Sequence, residues 1–332
     1  MRKTFIILCF LVSIINQSAQ EINISTPNSG YMLPNNNAVI RFYSDFEVDL
    51  LTIEYSVNLG KDWETVNKSG YGLGDGDLVV DWLAPDTLLT DCILRILKAD
   101  DPTIGDTSEP FVLYPVEDEI LGNNELTYIF SNDGGNIDGR LSLGFTDTYG
   151  SLVYKEGLLF GGLVNNEKRV TGTAFFSSMM PGRSNQTFSD AREFRIWNFR
   201  TDWQQLPEGK EKDELKYEYE NWPVDLGAPY NDKNNDGEYT PYIDSPKEFG
   251  DEYAWFLMND SNDTLATWYY KSNTIGLQIS CITYIYHNDP SLKNTFFRKY
   301  LITNKGEQID DFIIGYFNDF DIGSHRDDYV GC

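Results

Sequence analysis

Apolar residues in this chain arrive in short runs rich in Val, Ile, Thr, Tyr and Phe. Each run is closed by Gly, Asn, Asp or Pro, a punctuation that favours short strands over long helices. In the first third the runs are Val39-Ile40-Arg41-Phe42, Leu50 with Thr52-Ile53-Glu54-Tyr55, and Cys92-Ile93-Leu94-Arg95-Ile96. Pro27-Asn28-Ser29-Gly30, Asn58-Leu59-Gly60-Lys61 and a glycine cluster at 72–76 separate them with turn chemistry. Residues 126–130, 158–163, the well-alternating 275–286, 295–303 and 312–317 repeat the pattern further on. The expected fold class is therefore all-β. Length supports two domains, one over 21–115 and a larger β-rich, sandwich-like one over 120–332, with Pro115-Val116-Glu117-Asp118-Glu119 as a linker. The highly charged segment 206–220 reads as a short surface helix or an insertion loop, since no amphipathic stripe decides between them.

Strand runs at roughly 8–12-residue spacing over about a hundred residues point to an immunoglobulin-like sandwich for 21–115. Five segments carry a family likeness in the same stretch: Thr26-Pro27-Asn28-Ser29-Gly30, Ile53-Glu54-Tyr55-Ser56, Gly60-Lys61-Asp62-Trp63, Val80-Asp81-Trp82-Leu83-Ala84-Pro85 and Cys92-Ile93-Leu94-Arg95-Ile96. In that order they resemble the Ig-like modules of bacterial secreted proteins. The resemblance implies a spacer or binding unit and gives architecture more than activity.

The second part has its own ordered set. It runs through Asn132-Asp133-Gly134-Gly135, Leu159-Phe160-Gly161-Gly162, Trp222-Pro223-Val224-Asp225-Leu226-Gly227, Gly250-Asp251-Glu252-Tyr253-Ala254-Trp255, Tyr300-Leu301-Ile302-Thr303-Asn304 and Asn318-Asp319-Phe320-Asp321-Ile322-Gly323. This order is similar to large secreted proteins of Bacteroidetes-like bacteria, many of which end in a type IX secretion sorting domain. The resemblance implies export and further β structure after the last motif, and it lends no activity. Cys332 follows Tyr329-Val330-Gly331 with no tail or sorting domain, so the second domain is expected to be truncated there.

Residues 1–20 have the layout of a secretory signal peptide: Arg2 and Lys3, an apolar run over 4–15, then Ser18-Ala19-Gln20 before Glu21. The run is too short to span a bilayer. The expected location is secreted or cell-surface. The full chain carries a net charge of −26; residues 1–20 hold two basic and no acidic residues, so the remainder stands at −28. Such a surface repels phosphate backbones and anionic lipid, which removes nucleic acid and membranes as partners and favours cations. After Cys9 only Cys92, Cys281 and Cys332 remain, which is neither a disulfide framework nor a zinc pattern.

The sharpest local motif is Asp232-Lys233-Asn234-Asn235-Asp236-Gly237-Glu238-Tyr239-Thr240-Pro241-Tyr242-Ile243-Asp244. It opens as D-x-N-x-D-G, the start of an EF-hand-type calcium loop. Ca²⁺ takes six to eight hard oxygens, and Asp232, Asn234 and Asp236 supply three from one tight turn. Glu238 would add its backbone carbonyl and Thr240 a hydroxyl or a bridging water. The twelfth position, where a bidentate acid belongs, is Ile243, and Asp244 comes one residue later. The candidate ligands are thus Asp232, Asn234, Asp236, Glu238, Thr240 and Asp244, and the competing reading is a solvated turn that binds nothing.

A second acidic cluster, Asp319, Asp321, Asp327 and Asp328, is open to three readings. It is a cation site, the carboxylate pair of a glycosidase, or a solvated strand end; Asp319 and Asp321 share a face if the segment is a strand. Ser56-Val57-Asn58-Leu59-Gly60-Lys61-Asp62-Trp63 resembles a sialidase Asp-box with Asn58 and Asp62 substituted, and reads better as a hairpin turn. His287 and His325 lie in no HExxH motif, and no GxSxG elbow occurs. Trp197, Trp203, Trp222, Trp255 and Trp268 are either core or sugar-stacking platforms. Together these readings favour an exported, non-enzymatic structural, adhesive or ligand-binding protein with Ca²⁺ ordering one loop. The alternative is an extracellular polysaccharide-active enzyme or carbohydrate-binding accessory module. The expected partners are calcium and an extracellular glycan or another surface protein.

Overall fold

The structure is a computed structural model of the 332-residue chain. It describes residues 21–321 apart from 28–31, 36–37, 46, 48–49, 67, 72–75, 123–125, 136–142, 146–150, 175, 185 and 293. The signal-type segment 1–20, and His325, Asp327, Asp328 and Cys332, lie outside the described residues.

Strands β1 (Ile22–Thr26), β2 (Met32–Pro34), β3 (Ala38–Ser44), β4 (Leu51–Ser56), β5 (Glu64–Thr65), β6 (Lys68–Tyr71), β7 (Gly76–Trp82), β8 (Leu89–Lys98), β9 (Asp101–Thr107) and β10 (Phe111–Tyr114) form two sheets. One has the order β1-β3-β7-β6; the other has β2-β10-β8-β4-β5 with β9 beside β8. Alternation explains how they pack. Ile40 and Phe42 of β3 and Leu78, Val80 and Trp82 of β7 point inward, and Ile53, Cys92, Leu94, Ile96 and Leu113 meet them from the other sheet. Trp82 sits between Tyr55 and Phe111, at ring distances of 5.0 and 6.4 Å. The expected runs at Val39–Phe42 and Cys92–Ile96 lie within β3 and β8. The Asp-box-like stretch is the β4–β5 hairpin turn: Ser56 Oγ accepts from Gly60 N–H at 2.8 Å, and Arg95 stacks on Trp63 at 3.9 Å.

The expected linker is shorter than 115–119. Asp118 and Glu119 belong to strand β11 (Asp118–Gly122), paired with β12 (Leu126–Ser131). Val116 is buried, and Glu117 and Asn132 exchange backbone and side-chain hydrogen bonds at 3.0 and 3.1 Å, so this joint is packed. Acidic residues read as a solvated linker because nothing local shows that a neighbouring strand will pair with them.

Beyond it come β13 (Leu143–Phe145), β14 (Ser151–Val164), β15 (Glu167–Gly172), β16 (Met180–Pro181) and β17 (Trp197–Arg200). They are followed by helix α1 (Lys210–Glu220), β18 (Tyr230–Asn231), β19 (Ser245–Pro246), β20 (Glu252–Asn259), helix α2 (Asp263–Tyr270), β21 (Leu277–Ile285), β22 (Phe297–Asn304) and β23 (Ile309–Phe320). β11-β12-β13-β14-β15 form one sheet, with β23 along β14; β16-β20-β21-β22 form another, with β17 along β20. Tyr128, Phe130, Leu158 and Phe160 of the first face Phe256, Met258, Ile279 and Cys281 of the second.

The second sheet is covered on its far side too. Helix α1 and its following loop bring Leu215, Tyr219, Trp222 and Leu226 onto Trp197, Tyr253 and Trp255. β20 is accordingly buried along nearly its whole length and does not alternate. This resolves most of the tryptophans. Trp197, Trp203, Trp222 and Trp255 are core residues, not sugar platforms; Trp268 alone of that set is half-buried. The 206–220 segment is helical from Lys210, held by Leu215 and Tyr219 on its buried side. Among the described residues no helix is long and apolar enough to cross a membrane.

Candidate metal centre

The 232–244 loop is the turn of a short antiparallel ladder, in which Tyr230 faces Pro246 and Asn231 faces Ser245. It is framed by strands, not by the helix pair of an EF-hand. Asn235 (φ 58°) and Gly237 (φ 79°) adopt left-handed conformations that fold the acidic turn on itself. Asp232 then caps the turn, accepting from Asp236 N–H at 3.3 Å and Gly237 N–H at 2.9 Å. Asp236 accepts from Glu238 N–H at 2.9 Å and from the Asn234 amide at 2.7 Å.

Asp244 closes the loop from the other limb. It is fully buried, and its carboxylate accepts from Lys233 N–H at 2.9 Å and Thr240 N–H at 2.8 Å. Those bonds, Thr240 first, hold its carboxyl below the usual range. A carboxylate oxygen from each of Asp232, Asp236 and Asp244 falls within 4.8 Å of the others. Of the six candidate ligands, these three converge. Asn234 lies against Asp236 through its N–H, and its amide would turn over to present oxygen to a cation. Glu238 and Thr240 take part through backbone N–H groups; the Glu238 side chain is exposed.

The loop is bolted to the aromatic core. Tyr219 OH donates to the Asp244 carbonyl at 3.0 Å, and Tyr239 OH to the Tyr219 carbonyl at 2.7 Å. Tyr219 also packs against Tyr239 and Tyr242 at 6.4 and 5.4 Å. Three like charges are therefore drawn together on a rigid base by backbone donors, an arrangement a hard divalent cation would neutralise.

Of the second acidic cluster only Asp319 and Asp321 lie among the described residues. Asp319 lies near the end of β23, in register with Lys155, and Asp321 follows the strand. A different group of acids does assemble, and no local motif announces it. Glu117, Glu119, Glu218 and Glu252 reach a cavity of about 350 Å³ beside Arg195, Asn198 and Arg200. Glu117 accepts from Ile196 N–H at 2.8 Å, Glu218 from Asn198 N–H at 2.6 Å, and Glu119 from the Asn198 amide at 2.7 Å. Burial pushes the Glu218 carboxyl up to about 8, against the Asn198 N–H and Arg195, and raises Glu117 and Glu252 as well. His287 shares a 2.7 Å hydrogen bond with Glu252. These carboxylates come from three separated segments, so spacing along the chain carries no sign of the group.

In comparisons with known proteins, no family model and no curated protein matches the chain.

Proposed function

We propose that this chain is an exported, non-enzymatic surface or secreted protein of structural, adhesive or ligand-binding type. Its N-terminal sandwich serves as an Ig-like spacer or binding unit, and Ca²⁺ orders the 232–244 loop. The observation that carries the reading is the convergence of Asp232, Asp236 and Asp244 on a turn whose sequence follows the D-x-N-x-D-G rule. An ion that binds the folded loop and not the unfolded chain raises stability with its free concentration. Thermal melts in EDTA and in millimolar Ca²⁺, beside Asp232→Ala/Asp236→Ala, test it. A Ca²⁺-dependent rise that the variant lacks supports the proposal; equal melting in both buffers ends it. Isothermal titration with Ca²⁺, with Asp236→Ala as control, gives a second readout.

One observation favours a carbohydrate-binding accessory role instead. Trp268, Tyr269 and Phe176 line a cleft of about 550 Å³ with Val39, Arg41 and Lys271, and Arg41 lies 5.4 Å from the Trp268 ring. Aromatic faces beside cationic side chains suit acidic sugars. A glycan array probed with the chain and with Trp268→Ala tests this; binding that survives the substitution removes the cleft from consideration.

A further inference from the structure

Arg41 stands apart from the other arginines of this acidic chain. Among the described residues every other arginine, from Arg95 to Arg298, forms a salt bridge with Asp or Glu, and Arg41 forms none. Carboxylates are near enough to tempt it. Asp77 and Asp81 of β7 lie diagonally across from Arg41, on either side of its register partner Val79. The guanidinium is turned toward α2, where it lies 5.4 Å from the Trp268 ring. Lys271, which caps the C-terminal end of α2, likewise has no carboxylate partner among the described residues.

These two cations line one cleft, and the cleft is built from both halves of the molecule. Val39 and Arg41 come from the outer face of β3 in the N-terminal sandwich; Phe176, Trp268, Tyr269 and Lys271 come from the turn and helix beyond it. Its walls are held in place. Asn262, at the start of α2, donates to the Met32 carbonyl at 2.7 Å and ties the helix to the sandwich. Tyr270 OH lies 3.1 and 3.0 Å from the carbonyls of Ala174 and Phe176, and Phe176 stacks on Tyr269 at 4.9 Å. No acid is among the described residues that line the cleft, in a chain of net charge −26. The molecule as a whole repels anions; here an anion meets cations that no carboxylate has neutralised.

We propose that this cleft is a composite site for a carboxylated sugar, in which Arg41 of the sandwich holds the carboxylate while Trp268 and Phe176 cover the ring. This rests on the carbohydrate reading of the cleft, and adds to it a charge requirement and the part of the chain that meets it. A guanidinium fork matches a carboxylate through two parallel N–H bonds, and Lys271 adds a point charge from the α2 side. The N-terminal sandwich then completes the binding site instead of only spacing it.

Isothermal titration of the full chain with oligogalacturonate and with its methyl ester tests this, in calcium-free buffer so that the 232–244 loop takes no part. The ester presents the same rings without the charge. Oligogalacturonate should bind at least about tenfold more tightly than the ester, by the usual strength of hydrogen bonds to a charged group. Arg41→Met should reduce its affinity to that of the ester, and Arg41→Lys should restore part of the difference. Thermal melts of both variants should match the parent, since Arg41 is exposed and holds no ion pair. Equal binding of acid and ester, lost in Trp268→Ala, overturns the charge requirement and leaves the carbohydrate reading standing. Oligogalacturonate binding that Arg41→Met leaves unchanged overturns the part given to the sandwich. Binding that falls in Arg41→Met and is untouched by Trp268→Ala overturns the sugar-ring contact and leaves a plain anion site. Absence of binding by both probes ends the proposal and the carbohydrate reading together.

Discussion

A carboxylate oxygen of Asp244 lies within 4.8 Å of one from Asp232, although Asp244 falls one residue past the place where a calcium loop of the EF-hand type carries its closing acid. The extra residue is absorbed at Tyr242, which turns through φ 70° and donates its hydroxyl to Glu220 at 2.6 Å. Asp244 therefore has two separable duties: its oxygens anchor Lys233 and Thr240 N–H groups, and its charge completes the triad. Asp244→Asn keeps one acceptor oxygen and sets an NH2 against the second N–H donor, so the metal-free melting temperature should fall by less than in Asp244→Ala while the Ca²⁺-induced rise disappears. Asp244→Ala should lower the melting temperature in EDTA as well. Differential scanning calorimetry of both variants, with and without Ca²⁺, separates the two duties. Equal behaviour of the two variants in EDTA would mean that the anchoring bonds contribute nothing.

Glu218 makes stability depend on pH. In the unfolded chain a glutamate titrates at about 4.3, whereas burial holds the folded carboxyl near 8. Below the lower value both states are protonated. Between the two values the folded state keeps a proton that the unfolded state has released, so stability falls as pH rises and the loss is complete above about 8. Glu218→Gln removes that dependence. Relative to the parent it should gain on the order of 2–4 kcal/mol between pH 5 and pH 8.5, by the rule of about 1.4 kcal/mol per pH unit. Urea denaturation at the two pH values measures the gain. Glu117 and Glu252 shift in the same direction and stay in both proteins, so the difference between them isolates Glu218.

Two glycines of β14 should respond oppositely to alanine. A methyl group on Gly157 would collide with the Thr173 backbone, whereas on Gly161 its nearest neighbour would be the Arg169 carbonyl oxygen at 3.9 Å. Gly157→Ala should cost about 1–3 kcal/mol through forced backbone movement. Gly161→Ala should stay within about 0.5 kcal/mol of the parent. Chemical denaturation of the pair tests whether β14 lies as close to the 173–174 turn as described; equal tolerance would contradict it.

What the sequence discloses tracks the range of the interaction. β3, β8 and β21 are legible because one face is buried and the side chains alternate. β20 is hidden because both its faces are covered, which erases alternation and leaves its Trp255, a core residue, open to either a core or a sugar-stacking reading. Helix α2 is missed for a different reason. It is short, and its main cue is Asn262, whose side chain accepts from Leu265 N–H. The acidic loop is legible down to Asp232, Asn234 and Asp236, since local spacing makes the turn. That Asp244 joins them while Glu238 and Thr240 contribute backbone N–H groups depends on where Tyr219 holds the far limb. The Glu117–Glu119–Glu218–Glu252 group joins one local pair to two distant residues. It exists only once β11, β17, α1 and β20 have come together.

Arg298 and Glu156 provide the strictest test of the sandwich between β14 and β22. Arg298 Nη1 donates to Glu156 at 2.6 Å, and the hydroxyls of Tyr128 and Tyr316 donate to the same carboxylate at 2.7 and 2.6 Å. The two charged side chains are only 13% and 11% exposed, and Arg298 also lies 5.1 Å over Tyr128 and 5.2 Å over Tyr300. Removing one partner strands a charge where water scarcely reaches it. Arg298→Met should therefore cost about 3–5 kcal/mol, most of it the penalty on Glu156 left without its cation. Replacing both groups removes that penalty, so Arg298→Met/Glu156→Leu should be closer to the parent than the single variant is, despite carrying one more substitution. Urea denaturation at pH 7 of the parent, both single variants and the double variant completes the cycle. Additive losses would mean that the two side chains do not share a buried site, and the closure of the sandwich at this end would then be wrong.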